Sequence, residues 1–326
     1  MMYELTNQSR SEIARPKEVI VISSYVSLFG TVSVPILLAC FLGYLYQKFK
    51  SPDTKVLADL SLFVLSPCLI VSAVSSSELN SSSFAHIAIF TVIQTVLCWA
   101  ASLAVGKLFR FNAPSLRAME LTTIFANSNN YGLPLLLLAF GNAGFAIGVT
   151  NVILHIVLVN TLGMYIASRS SFSPRQAGAK MLQNPLIYAA VIGLVLYIFK
   201  IPLPKSLHAG LELIGGAYAA IVLLMLGMQL KKTNWRASMR RELWISIIMR
   251  IVGVPLLSLL TIKMLGLHGL EASVLFVQSS MPSAINSVVL MEKYGGDKEL
   301  VSVNVAMTTA ASFLYLPVLI YWSAGF

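Results

Sequence analysis

Ala126-Asn127-Ser128-Asn129-Asn130-Tyr131-Gly132-Leu133-Pro134 lies in the middle of an apolar stretch, Leu116–Phe140, that is otherwise long enough to cross a bilayer. A regular helix cannot run through it. Proline lacks an N–H and clashes with the preceding turn, and asparagine side chains compete for backbone hydrogen bonds. Glycine adds flexibility at the same point. Unpaired peptide groups at membrane depth persist only where protein buries them or where they line a wet cavity. A second interruption, Gln278-Ser279-Ser280-Met281-Pro282-Ser283-Ala284-Ile285-Asn286, follows about half a chain later. Two broken helices at corresponding places in two halves are the pattern of a secondary transporter.

Composition agrees with a bilayer as solvent. Of 326 residues 57% are hydrophobic and only 11% charged, against roughly 25% charged in soluble chains. The net charge of +10 resides in short loops, which is an orientation signal and argues against nucleic-acid binding. Residues 1–24 form a polar tail of mixed charge rather than a secretory signal. Cys40, Cys68 and Cys98 all fall in apolar stretches, as free thiols rather than a disulfide framework or metal site.

About 20 apolar residues span a bilayer, and ten segments meet that test. They are Tyr25–Tyr46, Val56–Ser76, Phe84–Phe109, Leu116–Phe140, Phe145–Ala167, Pro185–Phe199, Leu207–Leu230, Leu243–Leu265, Leu270–Met291 and Leu300–Trp322. Sixteen Lys and Arg residues fall in or at the edges of the loops after the odd-numbered spans, counting Lys107 and Arg117 at span ends. Six fall in the tail and at the remaining loops, counting Lys263, and Arg250 lies deep in span eight. The positive-inside rule therefore expects both termini outside and the basic linker 169–184 in the cytoplasm of a multi-pass plasma or inner membrane protein. Pro35 and Gly43 recur as Pro185 and Gly193, and Asn151-Val152 as Asn304-Val305, at nearly the same offset. This sets out two five-helix repeats, residues 25–168 and 185–326. An odd number of spans inverts the second repeat relative to the first. The expected fold is an all-α membrane protein of ten transmembrane helices, with broken helices four and nine crossing.

A helix interrupted at mid-membrane exposes free N–H groups at one tip and free carbonyls at the other. The N-terminal tip attracts anions. If spans four and nine cross at their breaks, the tips would suit a carboxylate with no Lys or Arg in contact. The candidate substrate-binding residues are Asn127, Asn129, Asn130, Gly132, Pro134, Ser279, Ser280, Pro282 and Asn286, with Asn151 and Asn304 near the entrances of spans five and ten. The competing reading is a pair of kinks whose Asn and Ser side chains tie helices together.

Embedded ionisable residues are rare and usually paired. Arg250, two turns into span eight, and Glu120, just over one turn into span four, enter from the same side and are candidates for a proton-linked or gating pair. The alternative is that each snorkels to the interface alone. His155, in the middle of span five, is a candidate proton relay or a helix–helix hydrogen bond. Neither H-E-x-x-H nor G-x-S-x-G occurs. Gly295-Gly296-Asp297 reads as a helix C-cap followed by an N-cap. The expectation is therefore no enzyme, no cofactor and no metal centre.

Asn127-x4-Gly132-Leu133-Pro134-Leu135, together with Met281-Pro282-Ser283-Ala284-Ile285-Asn286 running on to Glu292-Lys293-Tyr294-Gly295-Gly296-Asp297, resembles the auxin efflux carrier family. That family includes the plant PIN-FORMED carriers and bacterial malonate or malate permease-like proteins. Pro185 after Asn184, with Gly193, matches the family's sixth span, and Gly227-x2-Leu230 the end of its seventh. The resemblance implies a fold like that of the bile-acid sodium symporters. Spans one, two, six and seven would be a scaffold, and spans three to five and eight to ten a moving transport domain. It implies a substrate role for Asn127, dimerisation through the scaffold, and transport of auxin-like acids or small dicarboxylates. Where family members often carry a proline in span seven this chain has Ala219-Ala220, and Asn286-Ser287 stands where plant carriers have a second proline. The substrate is thus left open, as is a proton or a sodium ion as coupling ion. The expected function is alternating-access transport of a small organic anion. A sodium-coupled symporter, or a ligand sensor on a carrier fold, are the alternatives.

Overall fold

The computed structural model describes residue 30 and residues 34–75, 81–168, 185–232, 240–294 and 296–326. The tail 1–24, the start of the first expected span and the linker 169–184 lie outside the described residues.

The described chain is helical. Helix α1 is Val34–Lys50. Helix α2 runs through Lys55–Leu60, a π turn at Ser61–Leu65 and Ser66–Ser75. Helix α3 is Ser81–Leu108 and α4 is Ala113–Ile124. A π turn at Ser128–Gly132 leads into α5, Leu133–Leu158, which continues to Ser168 through a second π turn. Helices α6 and α7 are Pro185–Ile198 and Lys205–Lys232. Helix α8 comprises Arg241–Ile248, a π turn at Met249–Gly253, and Val254–Leu265. Helices α9, α10 and α11 are Gly269–Ser279, Asn286–Tyr294 and Lys298–Ser323.

Three π turns end two residues before a proline: Leu65 before Pro67, Gly132 before Pro134, and Gly253 before Pro255. A helical proline lacks the N–H for the carbonyl four residues back and its ring pushes that carbonyl away. Widening the turn by one residue relieves the clash. Inside α5 the chain bends at Gly141, whose φ of 63° is left-handed and which a side chain would oppose.

Six helical segments of the described residues are long and apolar enough to cross a membrane: Lys55–Ala73, Ser83–Leu108, Ser128–Ser168, Lys205–Lys231, Arg241–Leu265 and Lys298–Ser323. The number falls short of the ten expected for physical reasons. The pieces of spans four and nine are short because they are interrupted, and the second half of span four runs on into span five. Helix α1 has 17 described residues, and Pro185–Tyr197 is a shorter apolar helix.

Helices α1, α2, α6 and α7 pack on one another, α1 along α7 and α6 along α2. The first contact is backbone on backbone. A Cβ on Gly43 would lie 1.9 Å from the Leu224 carbonyl oxygen, and one on Gly227 would lie 1.8 Å from that of Cys40. Only glycine allows this approach from both sides, and Cys40 Sγ then donates to Leu223 O at 3.3 Å. The other helices pack around the meeting point of the two broken segments, α3 on α4 and α8, and α9 on α5 and α11. Leu133, Phe145, Val149 and Val152 of α5 join the two groups through Tyr218, Leu186 and Leu65.

Candidate functional site

Both interruptions form as the sequence foretells, and they touch. Asn112 caps α4, its side chain accepting from Ser115 N–H at 2.9 Å, with a proline in the first turn. The helix stops at Ile124, and Phe125 is extended (φ −97°, ψ 112°). On the other side α9 ends at Ser279 and Ser280 leaves the helix (φ −80°, ψ 0°). Between them Ala126 and Ser283 form an isolated antiparallel bridge. Asn127 N–H donates to Pro282 O at 2.8 Å, and Ala284 N–H donates to Phe125 O at 2.9 Å. Two unwound segments thereby satisfy each other's peptide groups, which lipid would not do.

Their carbonyl ends converge on one side chain. Arg250 is 1% exposed and the largest fully buried side chain among the described residues. Its Nε donates to Met281 O at 2.8 Å, one terminal nitrogen to Thr123 O at 2.7 Å, and the other to Ser279 O at 2.8 Å and again to Met281 O. Thr123 is in the last turn of α4 and Ser279 ends α9. One guanidinium thus caps the negative ends of both half-helices. Burying a charge is tolerable when its donors are all used by good acceptors, and the π turn at Met249–Gly253 holds this one at the crossing.

Of the expected Glu120–Arg250 pair, Arg250 donates to carbonyls of the two breaks. Glu120, fully buried, accepts from Trp99 Nε1 at 2.9 Å. An intramembrane cation needs acceptors rather than a carboxylate as such, and two broken helices supply acceptors in abundance.

The two breaks differ in what their side chains do. In the second, Ser279 Oγ turns back to its own helix and meets Ser258 Oγ at 2.8 Å, and Ser280 Oγ donates to Phe276 O at 2.7 Å. Ser283 Oγ lies 2.9 Å from Thr122 O and 2.8 Å from Asn304 Oδ1. Tyr315 donates to Ser280 O at 2.9 Å. In the first, Asn127 Nδ2 and Ser128 Oγ are buried without a hydrogen-bond partner. The same holds for Asn304 Nδ2 and Thr309 Oγ1 on α11. Named contacts link the helices that carry them: Asn304 is held by Ser283, which bridges the residue before Asn127. Thr309 lies between Asn304 and Ser312, and Ser312 Oγ bonds the Tyr131 hydroxyl of the first break at 3.2 Å.

The remaining candidates divide. Gly132 donates its N–H to Asn127 O at 3.0 Å and faces Met281 and Gln278, and Pro134 is buried in the first turn of α5. Asn129 donates to Asn130 Oδ1 at 3.1 Å and receives the Tyr218 hydroxyl from α7 at its own side-chain oxygen, also 3.1 Å. Asn286 is exposed at the start of α10. Asn151 is engaged at both ends, donating to Gln278 Oε1 at 2.8 Å and accepting from Thr91 Oγ1 at 2.8 Å. His155 Nδ1 lies 3.2 Å from Asn151 O, one turn back on its own helix. Sequence reasoning singled out neither Ser128, Tyr131 and Ser283 within the interruptions nor Thr309 on α11, because a hydroxyl's place in the chain does not show which partner it takes.

The sequence profile of a family described as "Membrane transport protein" matches residues 29–173 and 172–320. The chain is 24% identical over 293 residues to an uncharacterized transporter of Methanocaldococcus jannaschii, covering 86% of this chain and 94% of the relative. It is 22% identical over 292 residues to an uncharacterized transporter of Methanothermobacter thermautotrophicus, covering 88% and 95%.

Proposed function

The chain belongs to the auxin efflux carrier-like family of membrane transport proteins, and on that premise we propose that it moves a small organic anion across the membrane by alternating access. One observation carries the reading. Asn127 Nδ2 and Ser128 Oγ at the start of the first break, and Asn304 Nδ2 and Thr309 Oγ1 on α11, which bonds to the two breaks through Ser283 and Tyr131, are buried and unpartnered. Each orphaned polar group costs about 1–3 kcal/mol, and native proteins keep such groups where a ligand or water completes them. The π turn at Ser128–Gly132 begins two residues after the bridge, and α10 begins three residues after it on the other strand. Two helix starts thus flank the same place with their positive ends, while Tyr131, Gly132, Ser287 and Val288 already donate to the carbonyls of Asn127, Ala284 and Ile285. Amides, hydroxyls and helix N-termini are a donor set for a carboxylate. Ser283 has one proton to share between Thr122 O and Asn304 Oδ1. A bound anion selects the second arrangement and turns the Asn304 N–H groups towards itself.

The antiparallel bridge between the breaks supports ten spans in two inverted repeats, because α4 and α9 must then enter from opposite faces. In this reading α1, α2, α6 and α7 are the scaffold, and α3 to α5 with α8 to α11 carry the site past them. Tyr218 of α7, bonded to Asn129, is the scaffold contact that breaks when the site moves. The protein lies in the plasma or inner membrane with both termini outside and the linker in the cytoplasm, and it pairs through its scaffold helices. Glu120 and His155 remain the groups to test for proton coupling.

Reconstituted vesicles and a panel of labelled mono- and dicarboxylates provide the test. The expected result is saturable uptake of a small subset of acids, abolished by Asn127→Ala. Absence of flux for every acid, or full flux by the variant, overturns the reading.

A further inference from the structure

Carbonyl ends of broken helices inside a membrane are where a transporter of this architecture would hold an alkali cation. In this chain that place does not fit a free sodium ion, because the three carbonyls in question already surround a guanidinium. We infer that Arg250 is a built-in cation: it fills the oxygen cage of Thr123, Ser279 and Met281, holds the two breaks together, and makes folding of the site independent of any alkali ion. The first argument is geometric. Donor and acceptor separations of 2.7–2.8 Å on three carbonyls, two at the ends of different half-helices and one in the unwound segment between, are those of charge-assisted bonds. The second concerns the kind of acceptor. Every hydrogen bond the guanidinium makes goes to a peptide oxygen at or just beyond a half-helix C-terminus, where the helix dipole favours a cation. The third is local construction. Pro255 widens the helix at Met249–Gly253 and so presents Arg250 sideways into the crossing.

This inference concerns the frame of the site and stands on the crossing itself. Its coupling consequence, transport without sodium, rests on the proposed carrier function. Arg250 is a positioning residue, so the test needs a readout that mere structural damage would not move. Melting of the purified full chain is followed in sodium, potassium or choline chloride at equal ionic strength, for the native protein and for Arg250→Ala and Arg250→Lys. The native chain should melt at one temperature in all three salts. Arg250→Ala should melt lower and recover at least half of the loss on adding low millimolar guanidinium or methylguanidinium, with urea at the same concentration giving none. Arg250→Lys should lie between. A native melting point that rises specifically with sodium overturns the inference. So does an Arg250→Ala protein that folds yet responds alike to guanidinium and urea. If Arg250→Ala yields no folded protein, the native chain's response to sodium and the Arg250→Lys melting point decide it. Loss of anion transport in vesicles with these melting results intact would count against the carrier reading alone.

Discussion

The two broken segments meet at one bridge, yet they are finished differently. In the second break every serine is spent: Ser279 and Ser280 return to carbonyls of α9, and Ser283 ties α4 and α11 to the bridge. In the first break Asn127 and Ser128 offer buried polar atoms to nothing in the protein. Symmetry in sequence thus hides a difference in completion: the serines of the second break are satisfied within the protein, and polar atoms of the first are not.

Four substitutions sharpen or break this contrast, from the largest expected effect to the smallest. Asn127→Ala should weaken binding of the preferred carboxylate by roughly 10- to 100-fold, the worth of a hydrogen bond to a charged group. Its melting point should stay level or rise, since an orphaned buried group is removed; calorimetric titration and a melting curve read the two effects. Ser283→Ala should do the reverse, lowering stability by about 1–2 kcal/mol through loss of its contacts with Thr122 O and Asn304, visible as a fall of a few degrees in melting temperature. Thr309→Val, nearly isosteric, should reduce affinity by about 2- to 10-fold and leave the melting curve in place. Ser279→Ala should lower stability by about 1 kcal/mol, since it leaves the buried Ser258 hydroxyl without that partner, and change affinity not at all, because its hydroxyl serves α9 and Ser258.

The breaks themselves were legible because Asn, Gly and Pro in an apolar run leave few alternatives to unwinding. Their meeting was legible from the same fact, since each needs partners that the other can give. Which side chains the protein leaves unpartnered was not. Serine in a helix can satisfy itself on a carbonyl one turn back, as Ser280 does, and nothing in the residue order distinguishes that from a serine turned outwards. Asn151 and Asn304 occupy matching positions in the two repeats, yet Gln278 and Thr91 complete the first, and Ser283 holds only one half of the second. Arg250 was found as an embedded charge, but the carbonyls it meets were not foreseen, because acceptors freed by a broken helix leave no mark in the residue order. Gly43 and Gly227 were noted as markers of a repeat and a family, while their physical role is the backbone contact between α1 and α7.

The most direct test of the account is a side-by-side titration of one preferred carboxylate into native protein, Asn127→Ala and Ser279→Ala. The account predicts binding to the native chain and to Ser279→Ala with the same affinity, and weakening of roughly tenfold or more in Asn127→Ala. Equal loss in both variants, or undiminished binding by Asn127→Ala, would contradict it.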